Sequence, residues 1–387
     1  MSVPPPHVAP PPAPKVGTIP LTFQSLSTVY AGGWRTMTKS PVAMFWLPNL
    51  WFMIGSIALA VSIGFWMKRF LDGFSAYVIG PDPTRDITAS EADALLAWGL
   101  QDMVIWFSIG LLVHTMCVLI GATLTVAPTM RGILGLPTKA SDAWKLAKPH
   151  LPRVLLAGLL SWVVGVAAVI ITAWASQWFI ELTLSTEFTD PASAAAYSTT
   201  TAFASTLFTF GAYALEIALI LLLVRFIHVL PSMVLESKNL FAAMGRSWRL
   251  ITGRYWQVLG TLYLASLVLS VIVGILVAVI ILVLMMFVGS WFAVSEPTEL
   301  FGPISIATGV VVWLSAAVSW LTTTPLLPVT TLLYADNRFR KEGLLNELMP
   351  LALNEPTLAS ARNGDPRALQ TTATFVPGTI SSDRRFQ

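Results

Sequence analysis

Long uninterrupted apolar runs dominate the pattern of hydrophobic and polar positions along the chain. A helix that crosses the hydrocarbon core of a membrane needs about 20 apolar residues, because lipid cannot hydrogen-bond an exposed backbone. The segments that meet this length are 43–67, 96–126, 154–180, 203–230, 256–294 and 304–334. The fifth is long and uncharged, and Gly274 alone is a weak turn signal, so it predicts one tilted helix rather than two. The pattern predicts an all-α polytopic membrane protein with six transmembrane helices.

The distribution of lysine and arginine predicts the orientation of these helices, because basic residues are retained on the cytoplasmic side. Of the 23 basic residues, 19 lie before the first segment, after the second and fourth, or after the sixth, and three lie in the loop after the first. We therefore expect both termini to be cytoplasmic. Lys68 and Arg69, directly after the first segment, are a local exception.

Both ends of the chain have the composition of disordered tails. Proline occupies seven of the first fourteen positions, which favours an extended, solvated chain, and residues 1–20 are predicted to be a disordered cytoplasmic tail. This tail is also a possible ligand for a proline-binding partner protein. Residues 345–387 mix Pro, Thr, Ser and Arg without a clear period and are predicted to be a second disordered cytoplasmic tail.

A tryptophan followed by a basic residue recurs three times, at intervals of 110 and 104 residues, before the first, third and fifth apolar segments. The pairs are Trp34-Arg35, Trp144-Lys145 and Trp248-Arg249. Apolar residues eight and four positions before each tryptophan and three after it form one helical stripe with it: Leu26, Tyr30 and Met37; Leu136, Ala140 and Ala147; Leu240, Met244 and Ile251. Each copy predicts a short amphipathic helix in the cytoplasmic interface, anchored by its tryptophan and basic residue.

The recurrence predicts three parallel repeats, each an amphipathic interfacial helix followed by two spans. Their boundaries are 21–127, 128–231 and 232–344. Because each unit holds two spans, all copies have the same orientation, which excludes an inverted repeat. The alternative is that tryptophan and arginine recur before membrane helices for generic anchoring reasons.

Ionisable side chains inside apolar segments are costly and are candidates for function. Asp102 lies near the outer end of the second segment, where it is expected to reach water. Arg225 and His228 lie near the inner end of the fourth, where they are expected to snorkel to the headgroups. Glu216 and His114 lie near mid-membrane at similar depth and predict a buried acid–imidazole pair. Such a pair would form a polar site for a proton or a headgroup, or a structural hydrogen bond between helices.

Composition excludes several classes of function. The chain is 55% hydrophobic and 11% charged, and it contains one cysteine, Cys117, so disulfides and thiolate metal centres within one chain are excluded. The four histidines have no metal-binding spacing, and no nucleotide-binding or hydrolase motif occurs. We expect no cofactor, no metal, no catalytic residue and no nucleic-acid partner.

Two stretches of the third copy carry a family resemblance. They are Phe241-Ala-Ala-Met-Gly-Arg-Ser-Trp-Arg-Leu-Ile-Thr-Gly-Arg-Tyr-Trp and Pro325-Leu-Leu-Pro-Val-Thr-Thr-Leu-Leu-Tyr-Ala-Asp-Asn-Arg. The chain resembles the membrane-domain family named after glycerophosphoryl diester phosphodiesterases, best over 236–345. The resemblance implies a stand-alone six-helix protein of the bacterial cytoplasmic membrane without an assigned activity. The soluble catalytic barrel of enzymes in that family needs about 250 residues, which this chain lacks, so it is not expected to be an enzyme.

A basic collar is predicted on the cytoplasmic side. Its members are Lys139, Lys145, Lys148, Arg153, Arg246, Arg249, Arg254, Arg338, Arg340 and Lys341. The orientation rule accounts for most of it, and it is also expected to attract anionic lipid headgroups. The leading interpretation is a non-catalytic protein that organises lipid or partner proteins. The alternative is a transporter or lipid-handling permease with a polar site between the repeats, favoured by Glu216, His114 and the prolines of the sixth segment.

Overall fold

The computed structural model describes residues 26–75, 89–184, 218, 221–292, 301–363, 365 and 367. Every regular element in these ranges is helical. The α-helices, in chain order, are α1 (Leu26–Lys39), α2 (Leu47–Phe74), α3 (Ala89–Ile133), α4 (Ala140–Ala147), α5 (Leu151–Leu184), α6 (Val229–Leu235), α7 (Leu240–Ile251), α8 (Tyr255–Phe292), α9 (Phe301–Thr323), α10 (Leu326–Glu342), α11 (Leu344–Leu353) and α12 (Glu355–Arg362). A π-helical turn, Val42–Trp46, precedes α2, and a 3₁₀ turn, Lys148–His150, precedes α5.

Four of the described helical stretches are long and apolar enough to cross a membrane, as expected of a membrane protein. They are Val42–Phe74, Ala97–Ile133, Ala140–Ala168 and Tyr255–Val283, and Ile304–Trp320 and Leu221–Leu235 are shorter apolar helices. The prediction of one helix for the fifth segment is confirmed, because α8 is continuous. The predicted fourth segment, 203–230, lies mostly outside the described residues.

The sixth predicted segment, 304–334, is not a single helix, and its interruption lies at Pro325, one of the two prolines that the sequence places in it. Helix α9 ends at Thr323, and α10 begins after Pro325, which lacks a backbone N–H and cannot continue the helical ladder. The buried Thr324 hydroxyl lies 2.9 Å from Asn49 Oδ1 on α2 and 2.7 Å from the Trp320 carbonyl oxygen. The Thr324 hydroxyl at this helix break is therefore satisfied by its own helix and by α2, as the membrane interior requires.

Helix α2 packs between α3 and α9, and α5 packs on the far side of α3. Small residues allow the close approaches. Gly121 on α3 faces the Phe52 ring, and Gly309 on α9 lies against the backbone of Ala60 and Gly64 on α2. The main hydrophobic core lies elsewhere, at the predicted cytoplasmic ends of α3, α6, α7 and α10. This core fixes the elements that carry the charged cluster described below.

The three predicted interfacial helices correspond to α1, α4 and α7, but their buried face is rotated from the predicted stripe. In each, the residues one position before and three after the tryptophan are buried: Gly33 and Met37, Ala143 and Ala147, Ser247 and Ile251. Trp34 and Trp248 are 60% and 44% exposed, so they lie at the edge of the buried face. Leu136 precedes α4 and is not on its helical stripe, contrary to the prediction.

The prediction of disorder from residue 345 is wrong for the first part of that range. Gly343 ends α10 in the left-handed conformation (φ 66°), and α11 and α12 follow. Leu344, Leu348 and Ala352 recur every four residues and enter the main core with Leu358 and Ala361. The apolar residues of this segment are few, but their helical period is sufficient to order α11 and α12, because the main core offers an apolar surface for these helices to cover.

Candidate functional site: an ion-pair cluster

Charged and polar side chains from α6, α7, α10 and the start of α8 converge next to the main core. We call this group the inner-face cluster: His228, Glu236, Arg246, Arg254, Tyr334, Asp336, Asn337, Arg338, Arg340 and Glu342. Helix α10 supplies most of it because acids and bases alternate at four-residue spacing, pairing Asp336 with Arg340 and Arg338 with Glu342 along one helix.

Glu236 is the centre of the first half of the cluster. It follows the end of α6, accepts a hydrogen bond from the Tyr334 hydroxyl, and accepts another from Arg246 Nε at 3.0 Å. Lys238 Nζ lies 3.1 Å from its second oxygen. Burial favours the neutral carboxyl group, but these hydrogen bonds and the charges of Arg246 and Arg338 outweigh it, so the pKa of Glu236 lies below its ordinary value. Glu236 therefore remains ionised at neutral pH.

Glu342 completes this half by linking two arginines. Arg338 Nε lies 3.0 Å from Glu342 Oε2, and Arg246 donates to the same oxygen at 2.6 Å. Arg338 is only 1% exposed, so its charge depends on these carboxylates. Burial lowers the pKa of Arg246, but hydrogen bonds to Glu342 and Glu236 raise it above its ordinary value. Helices α6, α7 and α10 are thus clamped together by four alternating charges.

The second half of the cluster contains Asp336, Asn337 and His228. Arg254 Nη1 donates to Asp336 Oδ2 at 2.8 Å and to Asn337 Oδ1 at 2.5 Å. Arginine has no acceptor, so the Asn337 oxygen must face it and the Asn337 NH₂ must donate to His228 Nε2, 2.9 Å away. The assigned tautomer of His228 is then neutral, with its proton on Nδ1.

The expectation that Arg225 and His228 snorkel to the headgroups is wrong for His228, whose side chain is 0% exposed. The physical reason is that Asn337 satisfies its ring nitrogen inside the protein. Arg225 instead lies between two aromatic rings, its guanidinium carbon 4.6 Å from the ring centres of both Trp248 and Tyr255. This arrangement is a double cation–π contact that joins α7 to the start of α8.

The inner-face cluster also contains four members of the predicted basic collar. Arg246, Arg254, Arg338 and Arg340 form ion pairs within the protein, which offset their charge, and the attraction of the collar for anionic lipid stays a prediction. Arg153 donates to the Ser237 carbonyl, and Lys341 donates to carbonyls at the end of α7. Seven members of the collar are exposed: Lys139, Lys145, Lys148, Arg153, Arg249, Arg340 and Lys341.

A comparison with family models places this cluster in a known domain. Residues 178–348 match the membrane domain of glycerophosphoryl diester phosphodiesterase. The predicted resemblance is confirmed over this segment, which is less than half of the 387-residue chain and contains the whole inner-face cluster. No curated protein and no solved structure matches the chain.

The matched domain contains Glu216 but not His114, and the proposed pair of the two is not tested. Glu216 lies outside the described residues. His114 lies on α3 beside Gly55 of α2, with its ring 5.6 Å from the Trp320 ring of α9. Its Nδ1 is buried and has no hydrogen-bond partner among the described residues. His114 therefore faces the α2–α9 side of α3.

Asp102 lies outside the matched domain and does not reach water as a lone group. Its side chain is buried and accepts a hydrogen bond from Arg69 Nε at 2.9 Å. Lys68 forms a second pair with Asp72, at 2.6 Å. Both basic residues that violated the orientation rule are thus next to acids, which offset their charge.

The predicted anchors occupy different surroundings. Trp34 is exposed beside Arg35, Trp144 stacks on Trp51 of α2 with ring centres 6.0 Å apart, and Trp248 covers Arg225. The basic residues Arg35, Lys145 and Arg249 are exposed. Their anchoring in the membrane interface remains a prediction.

Two apolar cavities open on the helix surfaces. A groove of about 450 Å³ lies between α2 and α9, lined mainly by apolar side chains with Lys68 among its lining residues. A second, of about 360 Å³, lies between α1, α8 and the start of α10, with Tyr30 and Trp34 in its wall. Within the described part of the chain, no group of three potential metal ligands occurs.

Sequence reasoning missed Glu236, Tyr334, Asp336 and Asn337. The four-residue spacing of charges in α10 was a usable signal for two ion pairs. The long-range partners, 98 residues apart for Glu236 and Tyr334, had no local signature.

Proposed function

We propose that this chain is a non-catalytic multipass membrane protein that organises lipid or partner proteins in the cytoplasmic membrane of a bacterium. The observation that carries the proposal is the inner-face cluster, in which carboxylates and arginines neutralise one another. Glu236 and Asp336 have side-chain exposures of 7% and 2% and are held by arginines, so neither is available as a general base or a metal ligand. Such a cluster suits a rigid clamp between helices.

The exposed apolar surface supports the same proposal. Side chains of α8 from Leu267 to Met286 that the structure describes are mostly exposed, and α5 exposes Leu159, Val163 and Trp174. Surfaces of this kind fit lipid or other membrane helices. Partners of the protein are accordingly expected to be anionic lipids at the cytoplasmic face and a protein that recognises the proline-rich residues 1–20.

The finer architecture is part of the proposal: six spans, three parallel repeats and two cytoplasmic termini. The common burial register around Trp34, Trp144 and Trp248 supports the repeats. Cys117 is the single cysteine, so Cys117→Ala gives a cysteine-free background for labelling. A cysteine placed at Ser2 or Ser382 is expected to resist an impermeant maleimide in intact cells and to react in inverted vesicles, and one placed at Ser75, after α2, is expected to behave oppositely. Labelling of Ser2 or Ser382 variants in intact cells would contradict the orientation.

The function is tested by mass spectrometry of the complex extracted gently from its own membrane. A stoichiometric protein partner, lost when residues 1–20 are deleted, is the expected result for an adaptor. Absence of any retained protein or lipid would refute the organising role.

A transporter or lipid-handling permease is the second candidate. It is favoured by His114, whose buried Nδ1 has no partner in the described ranges and lies deep in an apolar helix. A polar metabolite retained by the wild type and lost in Glu216→Gln would establish it over the scaffold.

A further inference from the structure

Arg131 differs from the other buried charges of the described chain. It lies in the last turn of α3 and is 1% exposed. The buried Asp102, Asp336 and Arg338 each have an oppositely charged partner within 4.0 Å, whereas no carboxylate whose side chain the structure describes lies that close to Arg131. The charge of Asp142 acts on the Arg131 guanidinium from beyond 4.0 Å, so no described counter-ion contacts it. A buried guanidinium without a contacting counter-ion is strongly unfavourable, so the site calls for an anion.

The guanidinium has most of its hydrogen-bonding capacity left. Nη2 lies 3.1 Å from the Ala361 carbonyl oxygen at the end of α12 and 3.4 Å from the Pro137 carbonyl oxygen. Nε and Nη1, which carry three N–H donors, have no acceptor in the part of the chain that the structure describes. The hydroxyl of Thr138, next to Pro137, is also buried and unpartnered within those ranges.

The position of Arg131 indicates the chemistry of the anion. The end of α3 is at the predicted cytoplasmic membrane surface, where phospholipid phosphates lie. Phosphate offers several strong acceptor oxygens to an arginine and a neighbouring hydroxyl, and arginine is the residue best suited to bind it. Helix α12 covers the site, since Leu358 and Ala361 are buried in the same core as Met130 and Ile133.

We propose that Arg131 and Thr138 form a binding site for a phosphate group, with α12 as its cover. The Ala361 carbonyl supplies the negative end of a helix dipole and satisfies one nitrogen of Arg131. The phosphate accepts hydrogen bonds from Nε and Nη1 of Arg131 and from the Thr138 hydroxyl. This site goes beyond the scaffold function, because a scaffold needs no such ligand and loss of the site leaves the inner-face cluster intact.

The test uses the full chain in two arms. In micelles of a phosphate-free detergent, one arm adds phosphatidylglycerol or uncharged diacylglycerol, and the other arm titrates inorganic phosphate. The readout is the shift in unfolding temperature that a bound ligand causes. We expect stabilisation by phosphatidylglycerol but not diacylglycerol if the ligand is a lipid headgroup, and by inorganic phosphate if it is free phosphate.

Arg131→Gln is expected to lower the apparent affinity for the ligand, read from the concentration dependence of the temperature shift, about tenfold or more. This is the effect of losing a charge-assisted hydrogen bond. Lys148→Gln, which removes the same charge from an exposed site, should respond as the wild type. Should Arg131→Gln fail to fold, Thr138→Val keeps the cation and is expected to weaken the response more modestly. An unchanged response in Thr138→Val and Arg131→Gln, or no response of the wild type in either arm, overturns the proposal and leaves Arg131 as a cap of α12.

Discussion

Replacing Glu236 with glutamine removes one charge from the inner-face cluster and keeps the shape of the side chain. The glutamine oxygen still accepts from Tyr334 and Arg246, but the bond from Tyr334 becomes neutral and the bond from Arg246 keeps only the charge of its donor, a loss of about 1 kcal/mol for each. Loss of the partly buried pair with Lys238 adds up to about 1 kcal/mol. We therefore expect Glu236→Gln to reduce the free energy of unfolding by about 2–3 kcal/mol.

The assay is reversible unfolding in mixed micelles, followed by far-UV circular dichroism. Asp72→Asn is the matched control, because it also removes one carboxylate charge, from an ion pair whose side chains are 55% and 53% exposed. Such a pair contributes about 0–1 kcal/mol. If Glu236→Gln and Asp72→Asn destabilise the protein equally, the inner-face cluster is not the clamp inferred here. Arg338→Met in the Glu236→Gln background should cost less than it does alone, because the two sites couple.

The pH dependence of Glu236 follows from its lowered pKa. A carboxyl group whose pKa is lower in the folded state than in the unfolded state binds protons more weakly when folded. Its contribution is therefore complete above its unfolded value, about 4.3, and is lost as the pH falls through the lower folded value. The stability difference between wild type and Glu236→Gln should be constant from pH 7 to pH 5 and shrink below about pH 4. A difference that already shrinks between pH 7 and pH 5 would contradict the assigned pKa direction.

Three further predictions concern packing and backbone conformation. Gly121→Ala places a Cβ into the facing aromatic ring and should lower stability by about 1–3 kcal/mol, whereas Gly274→Ala, with no atom within 4 Å, should be neutral or stabilising in the same unfolding assay. Arg225→Ala removes two cation–π contacts and should cost about 1–2 kcal/mol and change tryptophan fluorescence; an unchanged spectrum would refute the contact. Gly343→Ala forces a side chain into the left-handed conformation (φ 66°) and should cost about 1–2 kcal/mol and increase proteolysis after α10; protection equal to the wild type would count against it.

The sequence was informative where physical constraints are local. Apolar length predicted α2, α3, α5 and α8, because a membrane helix depends on its own composition. The helix break at Thr324 was harder to locate, although Pro325 marked it, because prolines are tolerated in membrane helices when neighbours satisfy the backbone.

The inner-face cluster was not predicted because its pairs join distant parts of the chain. The basic residues are predicted to lie on one side of the spans, but the same pattern is produced by lipid attraction and by ion pairing. Only the positions of Glu236 and Asp336 in the structure distinguish ion pairing from lipid attraction. Similarly, α11 and α12 resemble a tail in composition and are ordered by the core that they cover.

The length of α8 sets a condition on the surroundings of the protein. Its 38 residues extend about 57 Å at 1.5 Å per residue, and none of them is charged. Even at a tilt of about 40°, the upper end of the usual range, the helix covers about 44 Å along the membrane normal, against a hydrocarbon thickness of about 30 Å. Tilt alone does not remove this hydrophobic mismatch. The protein should therefore partition into the thicker regions of a membrane, or use other protein to shield the part of α8 that extends beyond the lipid.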